Sequence, residues 1–334
     1  MPSLTRFVLL SALTLGPVLA QTKGFTNPAP PRDVTVTAIP GVVAAGAKWT
    51  VVWQGKETAD GIVGTDDGGL LFAQEQLDQV SRLDKTGKYS LYLKANGPGA
   101  VSIGPKNRIL VVERACTDPG GHFGVTPDQC KEPAGIAALT PTRTVLANSY
   151  GGKSLGRVND LIADKKGGAY FTSGGAYYVS SSGLVSMVGE NLRTNGITLS
   201  RDEKTLYITN GPVVAAFDVQ PDGSVKNQRE FGKLEGGGNG DGLVIDAAGR
   251  LYVSTNAGVQ VLSPDGKYLG LIPTPRNSIS SAFSGPGKKT LYVACLGAVG
   301  PDGQEVKTSP SVRNTAMTLY TIPMLAQGFK GRPK

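Results

Sequence analysis

Residues 240–253 read Gly-Asp-Gly-Leu-Val-Ile-Asp-Ala-Ala-Gly-Arg-Leu-Tyr-Val. An acidic residue leads a short apolar stretch, residues 247–250 make a turn, and a second apolar run follows. Two short apolar segments around such a turn read as paired strands. The second run recurs as Leu70-Leu71-Phe72, Ile109-Leu110-Val111, Ala169-Tyr170-Phe171, Leu206-Tyr207-Ile208, Leu251-Tyr252-Val253 and Leu291-Tyr292-Val293. Their starts at 70, 109, 169, 206, 251 and 291 are spaced 39, 60, 37, 45 and 40 residues apart. A period of about 40 residues in a strand-rich chain is the mark of a radial array of four-stranded units. The expected fold is all-β: a six-bladed β-propeller formed as a single domain over residues 34–334. The 60-residue spacing leaves an insertion of about 20 residues, placed at about 115–133.

Composition agrees with short strands and tight turns: 46 Gly and 22 Pro in 334 residues. Segments 34–43 and 48–53 read as strands, and the stretch 34–53 is expected to complete the last blade and close the ring, leaving no free sheet edge. Residues 1–20 carry one charge, Arg6, an apolar run from Phe7 to Leu13, and small residues at Val18-Leu19-Ala20. This pattern reads as a cleaved signal peptide, so the expected location is secreted or periplasmic. Residues 21–33 form a Pro-rich extended lead-in, and no later segment reaches membrane length. The net charge of +8 comes from scattered Lys and Arg without a basic stripe, so neither a nucleic-acid nor a membrane partner is expected. Cys116 and Cys130 flank a Gly/Pro/Asp-rich stretch in the insertion. A disulfide between them would close a loop of about 15 residues and contribute roughly 3 kcal/mol. Cys295 ends an apolar strand and is expected to be a buried free thiol.

The repeat also has a polar phase. Ten or eleven residues before each run stand Asp60, Gly99, Asn159, Asn195, Asp241 and Ser281. The first strand of a propeller blade lines the central channel, so Asp60, Asn159, Asn195 and Asp241 are expected to converge at one end of it. Two carboxylates and two amides give a hard-cation site of formal charge −2. Oxygen donors without His or Cys favour Ca²⁺, with Mg²⁺ or Mn²⁺ as substitutes. A plain turn role competes with this reading at each position, because Asx-Gly is a common turn pair.

Segments 156–160 (Gly-Arg-Val-Asn-Asp), 194–210 and 240–253 resemble the SMP-30/gluconolactonase/LRE-like family, and a weaker likeness runs from about Asp60 to Ala294. The resemblance implies a six-bladed propeller holding a divalent metal, usually Ca²⁺, in lactonases and related hydrolases. It matches Asn195 and Asp241 to metal ligands, Asn159 to a metal- or substrate-contacting Asn, and Arg157 to a substrate-binding Arg. The family's first-blade ligand is normally a Glu before Gly, whereas this chain has Asp60-Gly61, one methylene shorter. The implied chemistry is metal-assisted hydrolysis of a small sugar lactone or related ester, with Asp241 accepting the water's proton and Asn159 beside it. Asp160 is a second candidate on the substrate side, although adjacent strand residues face opposite ways. Arg157, two residues before Asn159, should share its face.

Other signals are weaker. Residues 152–156 match G-x-S-x-G, but the sole histidine, His122, precedes Ser154 and no helix follows. The phosphate-loop likeness at 151–154 lacks its first Gly, and the glycine-dense stretch 236–242 leads into a strand rather than a helix. His122 reads as a solvated loop residue. Two readings compete with the hydrolase: a non-catalytic propeller that binds a ligand or partner around a structural Ca²⁺, and, more weakly, a quinone-dependent sugar dehydrogenase.

Overall fold

The structure is a computed structural model that describes residues 25–114 and 132–330. Regular structure among them consists of β-strands and short 3₁₀ turns. Six four-stranded antiparallel sheets are arranged as the blades of a propeller. They cover residues 60–94, 98–147, 161–188, 194–233, 243–273 and 278–323, with strand Thr50–Gly55 added to the last. The innermost strands are Asp60–Gly64, Pro98–Ile103, Leu161–Ala163, Thr194–Leu199, Leu243–Ile245 and Ser278–Ser284, each packing on its neighbours in cyclic order.

All six apolar runs fall on second strands, and their composition follows from the ring. Successive side chains of a strand point to opposite faces, and both faces of a blade are covered by other blades. Leu251 and Val253 pack between blades four and five, while Tyr252 packs between five and six. Leu70 and Phe72 likewise face blade six, and Leu71 faces blade two. Hence the runs are continuously apolar rather than alternating. Each of the six hydrophobic clusters fills one interface between neighbouring blades. Phe217, 1% exposed between blades three and four, illustrates the energetics. Truncating such a side chain to Ala costs about 3–5 kcal/mol.

Ring closure occurs as expected in kind but not in extent. Strand Thr50–Gly55 pairs antiparallel with Met317–Pro323 and becomes the outer edge of blade six. Residues 34–43 do not form a strand. Pro40-Gly41 turns the chain, leaving only an Ile39–Val43 bridge. Val36, Ile39, Val42 and Val43 are spaced three, three and one apart, not by two, and they plug the blade five–six interface. In the lead-in, Asn27 donates to the Thr308 carbonyl at 2.9 Å and Arg32 to that of Thr274 at 2.9 Å.

The insertion interrupts blade two between strands Ile109–Glu113 and Gly135–Ala138. Cys116, Cys130 and His122 lie outside the described residues, as do residues 1–20. A second long connection, 297–316 in blade six, had no counterpart in the expected layout. Cys295 is a free, fully buried thiol.

Candidate active site

Asp60, Asn159, Asn195 and Asp241 line one cavity of about 230 Å³, together with Arg157 and Asp160. Each of the four stands within two residues of the start of an inner strand, in blades one, three, four and five. The glycine after the ligand position has a packing cause. A Cβ on Gly196 would lie 2.5 Å from the Asp241 carbonyl oxygen of the next blade, so the Asx-Gly pairing allows neighbouring blades to approach. Second-strand hydroxyls fix the same backbone. Thr172 donates to the Asn195 carbonyl at 2.6 Å, and Thr209 to that of Asp241 at 3.0 Å.

The sixth-blade position differs from the expected one. Ser278 pairs with Cys295 and Ser280 with Ala294, so the irregularity in this strand falls at Ile279. Ile279 and Ser280 line the cavity, whereas Ser281 is 1% exposed with no hydrogen-bond partner for its hydroxyl. Counting back a fixed number of residues fails here because the bulge, not the run, sets the phase.

Two of the four oxygen-bearing groups are linked directly, and a third is held by backbone. Asn159 Nδ2 donates to Asn195 Oδ1 at 2.6 Å, and the Gly61 amide donates to Asp60 Oδ1 at 2.8 Å. Burial raises the Asp241 carboxyl well above the usual carboxylate range. The negative charges of Asp60 and Asp160 add to this, and the Gly242 amide and Arg114 offset it only in part. Asp160 is an interblade clip: Oδ1 accepts from the Leu161 amide at 2.9 Å and Oδ2 from the Ile197 amide at 3.1 Å.

Two participants were not foreseen from the sequence. Glu75, 6% exposed, follows strand Leu70–Gln74, and its two oxygens accept from Arg157 Nη1 and Nη2, both at 3.0 Å. Arg157 therefore reaches the cavity, as expected, but as half of a two-point ion pair. Arg114, 4% exposed, follows strand Ile109–Glu113. Its Nη1 donates to Asp60 Oδ2 at 2.8 Å and to Glu75 Oε2 at 3.4 Å, and its Nη2 to Asn159 Oδ1 at 2.8 Å. Burial works against its charge, but Asp60 and Glu75 outweigh that and hold it protonated more firmly than an ordinary arginine. The 297–316 connection adds Arg313, Asn314 and Thr315 to the rim. A lone Glu and Arg at strand ends carry no motif; two charged residues directly after fully buried runs were the only available signal.

The donor set fits a divalent cation in its chemistry. It offers oxygen alone, from two carboxylates and two amides, and amide and carboxylate oxygens retain lone pairs beyond the hydrogen bonds described. No group of three or more His, Cys, Asp or Glu side chains suited to a metal occurs among the described residues, so such a site depends on the two asparagines.

Residues 132–296 match the family model of the SMP-30/gluconolactonase/LRE-like region. Over that span the chain is similar to that family. A gluconolactonase of Zymomonas mobilis is 25% identical over 285 residues, covering 76% of this chain and 78% of the relative. A solved gluconolactonase from Xanthomonas campestris superposes with a TM-score of 0.67 at 20% identity, over 89% of this chain and 98% of that one. The calcium-binding protein regucalcin from Agrobacterium tumefaciens gives 0.64 at 15% identity, over 85% and 96%. At such identities the structural likeness establishes the propeller and nothing finer.

Proposed function

We propose that the protein hydrolyses a small sugar lactone or a related ester in the cavity lined by Asp60, Asn159, Asn195 and Asp241. The observation that carries this reading is the convergence of four oxygen-bearing side chains from four blades, with Arg157 beside them. The similar gluconolactonase from Zymomonas mobilis supports a lactone as the substrate class. The cation is Ca²⁺ in the first instance, in keeping with the regucalcin likeness and the oxygen-only donors. Asp60, Asn159, Asn195 and Asp241 would hold it, and when bound it supplies Lewis-acid polarisation of a carbonyl and stabilisation of developing negative charge.

The chain's own groups account for the rest. Asp241 lines the cavity as a carboxylate beside the position assigned to the cation, which suits it to take a proton from water. Asn159 is held by Arg114 and Asn195, so its amide is fixed before any substrate enters. Arg157 is anchored by Glu75 with its side chain one-third exposed, leaving edge and face to meet a substrate hydroxyl or carboxylate. Asp160 holds blades three and four in register beneath the site.

A panel of sugar lactones, assayed with and without chelator and repeated with Asp241→Ala, tests the proposal. Turnover lost on both treatments, with the circular dichroism spectrum preserved, supports it. Absence of turnover for every lactone and ester, in a protein that still binds Ca²⁺, would instead leave a ligand-binding propeller with a structural ion.

A further inference from the structure

Blade two is the one blade with glycine at the ligand phase, and that glycine is filled space. A Cβ built on Gly99 would lie 1.9 Å from Arg114 Nε and 2.0 Å from its Cζ. The guanidinium thus occupies the volume that a ligand side chain takes in blades one, three, four and five. It is locked there by backbone as well as side chains: Nε donates to the Val158 carbonyl at 2.8 Å and Nη2 to that of Asn159 at 2.5 Å. The same guanidinium donates to Asp60 Oδ2 and Asn159 Oδ1, two of the four groups assigned to the cation.

We infer that Arg114 is a resident cation of this site, seated in blade two's vacant ligand position, and that it holds down the site's affinity for a divalent ion. The inference rests on the proposed metal reading of the same four residues. Two effects produce it. Any ion using Asp60 and Asn159 must share their oxygens with two positively charged N–H groups. It must also approach a fixed positive charge in a partly desolvated cavity, where like charges repel far more strongly than in water. In return, Arg114 organises Asp60 and Asn159 whether or not an ion is bound, which a purely ion-dependent site cannot do. The shorter Asp60 fits this arrangement, since its carboxylate meets the guanidinium at 2.8 Å.

The test is titration of CaCl₂ into the chelator-treated full-length protein by calorimetry, comparing wild type with Arg114→Met and Gly99→Ala. The first removes the charge. The second keeps the arginine but denies it the slot, at a position whose backbone tolerates a side chain. Both variants are expected to bind Ca²⁺ more tightly than wild type, by ~10-fold or more for Arg114→Met given one nearby unit charge at an intermediate effective dielectric. The direction is the discriminating readout, because removing a merely structural arginine would weaken binding. Tighter binding in the variants, or binding seen only in them, supports the inference. Wild type that binds Ca²⁺ while the variants bind equally or more weakly overturns it and leaves the metal reading intact. Failure of all three to bind removes the metal reading, and the inference with it. Should Arg114→Met lose its circular dichroism spectrum, Gly99→Ala carries the same comparison alone.

Discussion

Replacing Glu75 by Gln tests whether the charge network under the cavity is built as described. The carboxylate is 5% exposed in its side chain and accepts from Arg157 at two points and from Arg114 at 3.4 Å. The amide is nearly isosteric, yet it carries no charge and can accept on one side only. Removing one partner of a fully buried pair costs about 3–5 kcal/mol, because the other charge is left uncompensated. Two features reduce that figure here. Arg157 is 33% exposed and can turn to water, and Arg114 keeps Asp60 at 2.8 Å. The expected loss is therefore ~2–3 kcal/mol, which corresponds to a fall of roughly 3–5 °C in Tm for a domain of this size. Urea unfolding followed by tryptophan fluorescence gives the free energy, and lactone hydrolysis gives the functional consequence. With its anchor neutralised, Arg157 should hold substrate less well, raising KM more than it lowers kcat. A loss below ~0.5 kcal/mol with unchanged KM would mean that Glu75 is solvated and the pair is worth no more than a surface salt bridge.

Two further outcomes follow from the geometry. Asp160→Ala orphans the buried Leu161 and Ile197 amides and should cost ~2–4 kcal/mol, measured by urea unfolding, from unpaired donors at ~1–3 kcal/mol each; a cost under 1 kcal/mol would show that the clip is not needed. Burial pushes the Cys295 thiol up to about 12, so iodoacetamide at pH 8 should leave its peptide unmodified in the native protein and alkylate it in urea, as read by mass mapping. Native-state labelling of that peptide would contradict the packing of blades five and six.

The architecture was readable because its cause is repetitive. A second strand covered on both faces must be apolar throughout, so Leu70-Leu71-Phe72 and its five counterparts announce the blades directly. The four Asx positions were readable for the same reason: equivalent inner strands deliver equivalent residues to one end of the channel. Segment 34–43 misled because apolar content was taken for a strand, although its spacing suits a plug and Pro40-Gly41 interrupts it. Ser281 misled because the bulge that sets the phase falls at Ile279, further from its apolar run than in the other blades, a distance that the residue types do not encode.

By itself, the sequence determined the number of blades, the closing role of the segment before Asp60, and the oxygen donors at Asp60, Asn159, Asn195 and Asp241. These depend on periodicity, which is a property of order along the chain. Only the tertiary structure decided what stands among those donors. Arg114 reaches Asp60 and Asn159 across 54 and 45 positions, and Glu75 reaches Arg157 across 82. Such pairings occur once and have no period. They are set by which strand ends the ring brings together and by the space that Gly99 leaves open. The charge balance of the site, unlike its set of oxygen-bearing side chains, is therefore a property of the folded ring.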